Sequence, residues 1–144
     1  MAITNRIVSA SSKTLTMYHG TKKKFTTFDA KKAGSNHTFI KEGIFFTGDP
    51  KDAAYYAGKK GYVLKVRVSL KNPFTMADLK KMDGDAISIW EEETGGGSLA
   101  SLYDRYSEDI VETSKDKGKD GVLLEYKGKS LAVVFNAKQT KILE

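Results

Sequence analysis

The stretch Gly43-Ile44-Phe45-Phe46-Thr47-Gly48-Asp49-Pro50-Lys51-Asp52-Ala53-Ala54-Tyr55-Tyr56-Ala57 decides how this chain folds. Gly43 to Thr47 is a compact apolar run bounded by turn residues, which predicts a strand. Asp49-Pro50 follows it. An aspartate able to cap and a proline preset for the first helical turn are start signals, so residues 51–57 predict a short helix that Gly58 ends. Ala53 and Tyr56 lie three apart and share a face of that helix. Tyr56 either lies flat against a planar ring, with small Ala53 leaving room, or packs beside Tyr55 as an ordinary core aromatic.

Working outward, Leu15 to His19 reads as a strand ended by Gly20, and residues 1–13 as a flexible N-terminal arm. Residues 21–36 are lysine-rich, with Phe25 and Phe28 as anchors of a loop with a partial helical turn. Tyr62 to Leu70 alternates with period two, placing Leu64, Val66, Val68 and Leu70 on one face, and is the clearest strand of the chain. Asn72-Pro73 breaks it. Residues 76–117 predict two helical segments divided by Gly95-Gly96-Gly97. Val122 to Tyr126 and Leu131 to Asn136 read as strands of a hairpin turning through Lys127-Gly128-Lys129-Ser130, a link that sets Glu125 opposite Ala132. This order predicts an α+β fold in a single domain over residues 14–144.

Composition narrows the chemistry. Cysteine is absent, which excludes disulfides, thiolate metal sites and cysteine nucleophiles. No apolar run approaches the ~18 residues of a membrane helix, and the first residues lack the apolar core of a secretory signal. A soluble, cytoplasmic protein with no membrane partner is the expectation. Lysine plus arginine number 24 against 18 acids, for a net charge of +6. Most of these cations are lysines, which suit loose attraction to polyanions better than specific reading of bases. Nucleic acid is therefore a weaker partner expectation than a nucleotide.

Several catalytic schemes fail on motif grounds. There is no G-x-S-x-G nucleophile elbow and no phosphate-cradling G-x-x-x-x-G-K-[ST]. With two histidines, His19 and His37, a histidine-based metal cluster is not expected. Glu91-Glu92-Glu93 reads as a solvated helix face. His37 lies in a polar stretch. His19 stands at a strand end before a glycine, where side chain and bare backbone meet solvent or ligand. It is either a half-buried turn residue or a ligand contact.

Tyr18-His19-Gly20-Thr21 resembles the first motif of the ADP-ribosyltransferase superfamily, on the branch that holds the poly(ADP-ribose) polymerases, the diphtheria-toxin-like enzymes and the polyvalent-protein transferases of phages and bacteria. Phe25 and Phe28-Asp29 echo the segment that follows it. Gly43 to Thr47 with Ala54 and Tyr56-Ala57 resembles the second motif. Ser69 to Phe74, Lys119-Asp120-Gly121-Val122, and Val133 to Asn136 with Gln139 resemble the later segments. The likeness runs in order from about Tyr18 to the C-terminus.

The resemblance implies a split β-sheet core with a helical insertion, NAD as substrate and no metal. His19 would hydrogen-bond the adenosine ribose, the Gly20 backbone would pair with the nicotinamide amide, Tyr18 and Thr21 would line the pocket, and Tyr56 would stack on the nicotinamide. Three positions depart from the family pattern. Ala53 stands where the polymerases carry serine, Phe45 where they carry tyrosine, and Leu131, beside Ser130, where the transferase glutamate falls. Glu125 is the candidate replacement carboxylate, and Gln139 a weaker one with a structural alternative. The implied function is mono-ADP-ribosylation of a protein target, or of nucleic acid, in a bacterial or phage-infected cell. The alternatives are an impaired NAD- or ADP-ribose-binding module, or inhibitor, of the same fold, and an unrelated lysine-rich nucleic-acid-associated protein.

Overall fold

The computed structural model describes residues 13–22, 43–95 and 97–143. Phe25, Phe28, Asp29, His37 and residues 1–12 of the expected arm lie outside them. The described chain runs β1 (Lys13–Thr21), β2 (Ile44–Thr47), α1 (Pro50–Ala57), β3 (Tyr62–Leu70), β4 (Phe74–Thr75), α2 (Met76–Met82), α3 (Ala86–Thr94), α4 (Leu99–Asp116), β5 (Gly121–Tyr126), β6 (Lys129–Val134) and β7 (Thr140–Ile142). It is the α+β fold with a split sheet and inserted helices that the motifs implied.

The strands form one sheet in the order β4-β5-β6-β2-β1-β3-β7. Every residue of β1 is in register with β3, from Lys13 opposite Leu70 to Thr21 opposite Tyr62. Between β1 and β2 the register is a single pair, Tyr18 with Thr47. That seam divides the sheet into a β4-β5-β6-β2 half and a β1-β3-β7 half. Apolar side chains of both halves close over it. Met17, Leu64, Val66 and Val68 from one half meet Phe46, Leu123, Ala132 and Val134 from the other in one buried cluster.

The opposite face of the β4-β5-β6-β2 half packs against α2, α3 and α4. Val122, Leu124, Leu131 and Val133 face Leu79, Trp90, Leu102 and Ile110 there. Because β5 and β6 are covered on both faces, they read as continuous apolar runs rather than alternating ones. The helical region is three helices, not the expected two. Asp83-Gly84-Asp85 separates α2 from α3, and Gly95, in the left-handed region at φ 69°, ends α3.

Asp120 ties distant segments together. Its carboxylate accepts from the backbone N–H of Lys71 at 2.7 Å, of Asn72 at 2.9 Å, and from Gln139 Nε2 at 3.3 Å. The same Gln139 nitrogen donates to the Ser69 carbonyl at 3.1 Å. Gln139 thus has the structural role that was the alternative to a catalytic one. Glu91 and Glu93 are also more engaged than a solvated run. Tyr126 Oη donates to Glu91, and Arg105 pairs with Glu93 at 2.7 Å.

The hairpin corrects one sequence expectation. Tyr126 is in register with Lys129, so the turn is the two residues Lys127-Gly128 and Glu125 faces Ser130, not Ala132. Both turn residues have positive φ, 47° and 81°. This matches the twist of two-residue hairpins and shifts the register from that of a four-residue link. A Cβ on Gly128 would meet nothing within 4 Å, so its need for glycine is purely conformational. Gly128→Ala is expected to cost about 1–2 kcal/mol, the penalty of an L side chain in the left-handed region. A urea midpoint unchanged from the parent would refute this.

Candidate active site

A cleft of about 1060 Å³ opens between the β2–α1 corner, the start of α4 and the β5–β6 turn. Local sequence builds the corner. Asp49 caps α1 through its carboxylate, which accepts from Lys51 N–H at 2.8 Å, and Pro50 takes the first turn. Thr47 Oγ1 accepts from Asp49 N–H at 3.3 Å and donates to Asp52 Oδ2 at 3.4 Å. The end of the strand and the first turn of the helix are therefore fastened around one hydroxyl.

Phe45 and Tyr56 form one wall. Their rings meet edge to face at 5.4 Å, and Tyr55, which is 78% exposed, stands edge-on to Tyr56 at 5.5 Å. Burial, then the Asp52 carboxylate, then Tyr55 push the Tyr56 phenol above its ordinary pKa. The ring is therefore a neutral stacking surface and donor throughout the physiological range.

His19 approaches from behind this wall. Its Nδ1–H donates to the Phe45 carbonyl at 2.7 Å, which places the proton on that nitrogen. Its ring packs on Phe46 at 5.5 Å, on the side of β2 opposite the Phe45 ring. Phe45 thus touches both candidate residues, His19 through its carbonyl and Tyr56 through its side chain. The lining of the cleft includes Phe45 and Tyr56 but not His19.

The other expected pocket residues are placed less openly. Thr21 is buried at 3% exposure, and Ala53 is fully buried. A Cβ on Gly20 would sit 2.0 Å from the Ala53 carbonyl oxygen, so α1 rests directly on the β1 backbone. The space that small Ala53 was expected to leave for a ligand ring is filled by that contact. Tyr18 is half-buried and lies across from Lys65 on one side and Thr47 on the other.

At the third motif, Leu131 is 2% exposed and belongs to the helix-covered core. Leu131 also lines the cleft, so a carboxylate at that position would sit largely desolvated where the core meets the cleft, with a raised pKa. Ser130, half-buried, lines the cleft, and Gly48 N–H donates to its carbonyl at 3.0 Å. Glu125 is exposed, across the hairpin from Ser130.

Asp52 is the residue that sequence reading passed over. It lines the cleft, one turn before Tyr56 on the same helix face. The signal was present as Asp-x-x-x-Tyr, but an acid in a helix's first turn also reads as favourable helix-dipole chemistry. On the far wall Ser98 caps α4, its hydroxyl accepting from Ser101 N–H at 3.2 Å. Among the described residues, Lys129 is the cation that lines the cleft. Among the described residues no group of His, Asp or Glu is placed to hold a metal ion. Nor is any described helix long and apolar enough to cross a membrane.

A split sheet with a nucleotide-sized cleft beside its seam is the architecture of the ADP-ribosyltransferases. The family described as "ADP-Ribosyltransferase in polyvalent proteins" matches residues 11–144, and the chain belongs to it. None of the curated proteins matches. Among solved structures, one titled "Crystal structure of an anti-CRISPR protein" is similar at 12% identity, with a TM-score of 0.46 over 94% of this chain and 98% of that one.

Proposed function

We propose that this chain is an NAD-dependent mono-ADP-ribosyltransferase that modifies a protein target. The observation that carries the reading is the convergence on Phe45. One residue fixes the His19 imidazole through its carbonyl and the Tyr56 ring through its side chain, which relates the two residues of the family's first and second motifs by two contacts. In this reading the nicotinamide ring of NAD stacks on Tyr56, and Lys129 with the start of α4 lies on the side of the negatively charged pyrophosphate.

The transfer breaks the bond between C1′ of the ribose and the ring nitrogen. Nicotinamide leaves neutral, taking the electron pair, and the sugar becomes cationic. The acceptor atom of the target then bonds C1′ and releases a proton to water. Holding the ring and its amide fixed orients the breaking bond. A carboxylate beside the developing cation stabilises it. We assign that role to Asp52, because it lines the cleft next to Tyr56 and its Oδ2 is held by Thr47. Glu125, across from Ser130, is the competing candidate.

Incubation with labelled NAD and a cell lysate tests the activity, with purified chain and its Asp52→Asn and Glu125→Gln variants. Asp52→Asn is expected to lower transfer about 100-fold while calorimetric NAD binding persists. Glu125→Gln is expected to leave both near the parent values. The reverse pattern would move the role to Glu125. The buried Leu131 favours a second reading, a module that binds NAD or ADP-ribose without chemistry. Saturable binding with neither transfer nor NAD cleavage would establish it and end the first.

A further inference from the structure

We propose that the outward face of the β1-β3-β7 half binds single-stranded nucleic acid through its phosphate backbone. The placement follows from register, since residues opposite each other on neighbouring strands share a face. Thr16, Arg67 and Lys141 form one row across β1, β3 and β7. Tyr18 and Lys65 form the next row, and Thr14 with Ser69 the one beyond Arg67 on the other side. Arg67, Lys141, Thr14 and Thr16 are exposed, and Tyr18, Lys65 and Ser69 half-buried. The opposite face of these strands holds Met17, Val66 and Val68 in the shared core, so these rows look outward.

Three features set this face apart from the scattered lysines of the rest of the surface. First, Arg67 and Lys141 lie directly opposite each other, an arrangement of like charges that destabilises a sheet. Second, β1, β3 and β7 contain no aspartate or glutamate, and none of Lys65, Arg67 and Lys141 is in an ion pair among the described residues. Third, α2, α3 and α4 pack on the other half, while α1 rests at the Gly20 end of β1. Helix α1 lies on this same face over the Gly20 end of β1, and the residues beyond it, Thr14, Thr16, Arg67 and Lys141, stay exposed.

The chemistry of the rows suits an extended polyanion rather than a compact one. Lys65 and Arg67 are two residues apart on a strand, so their side chains leave the sheet about 6.6 Å from each other. Lys141 extends the charge sideways across the sheet rather than enclosing a pocket. Arginine can fork onto a phosphate, and the hydroxyls of Thr14, Thr16 and Ser69 can donate to further phosphate oxygens. Tyr18 adds a ring beside Lys65 on which a base can stack. The face reaches the seam at Tyr18 and Thr47, so a bound strand would pass beside the cleft. The inference does not depend on transferase activity.

Fluorescence anisotropy of a short labelled oligothymidylate, titrated with the full chain over a series of salt concentrations, tests it. Three phosphate contacts predict a slope of log K against log salt of about −2. The double variant R67T/K141T is expected to flatten the slope to about −0.7 and weaken binding at low salt at least about tenfold. Its melting temperature should match or exceed the parent's, because a like-charge pair is removed. The control K80T/K81T makes the same charge change at exposed positions of α2 and should keep the parent slope. Equal loss in both double variants would reduce the effect to net charge and overturn the proposal. So would absence of binding by the parent, or tighter binding to phosphatidylserine vesicles than to the oligonucleotide.

Discussion

Gly20→Ala is expected to unseat α1 from the sheet and to cost about 3 kcal/mol or more, the upper end of what overpacking produces. The added methyl group would lie 2.0 Å from the Ala53 carbonyl oxygen, 2.8 Å from Ala57 N and 3.0 Å from the Ala53 carbonyl carbon. All three are backbone atoms, so no rotamer change relieves the clash. The helix must move, and it carries Asp52, Tyr55 and Tyr56 with it. Urea unfolding should show the loss, and NAD binding should weaken further than stability alone accounts for. A variant within about 0.5 kcal/mol of the parent would show that the helix yields freely and would sink the argument. The glycine of the His19-Gly20 pair is therefore required by helix-on-strand packing, whatever its backbone does with a nucleotide.

Trp90→Ala is expected to cost about 3–5 kcal/mol, the range for deleting a large buried aromatic. Trp90 is fully buried, its ring meets Tyr126 edge to face at 5.1 Å, and its Nε1–H donates to Ser101 Oγ at 3.0 Å. Helix α3 has nine residues, too few to hold itself without packing. The loss should therefore spread to the whole of α3 and to the start of α4, where Ser101 lines the cleft. Trp90→Phe keeps most of the apolar volume and should cost far less. Equal urea midpoints for the alanine and phenylalanine variants would contradict a packing origin.

The parts of the fold legible in the sequence are those governed by local rules. Residues 62–70 form β3 over the predicted range, because one face is buried and one is not. Asp49 and Pro50 start α1 where the capping chemistry said they would. What stayed illegible depends on partners far along the chain. β1 runs from Lys13 to Thr21 rather than ending at His19, because β3 pairs with its full length. β4 and β7 are two and three residues long, too short for any periodicity. The hairpin register escaped because its first turn residue is Lys127, where asparagine, aspartate or glycine is the usual signal of a tight turn.

The candidate site divides the same way. His19 and Tyr56 stand out by motif, and the contacts through Phe45 could not be read without the fold. Asp52 emerged only once Thr47 and Tyr56 were seen around it. The burial of Ala53 and Leu131 is likewise tertiary, since neither residue type reveals what presses on it.

The Asp120 clasp also bears on how the chain is made. Gln139 reaches a carbonyl 70 positions earlier, and Asp120 reaches an amide 49 positions earlier. During synthesis β3 must wait, with its outer edge unsatisfied, until Thr140 to Ile142 leave the ribosome. Closing the outer edge of β3 therefore waits on residues 140–142, and a nascent chain stalled before that point would expose an unpaired strand edge to its neighbours.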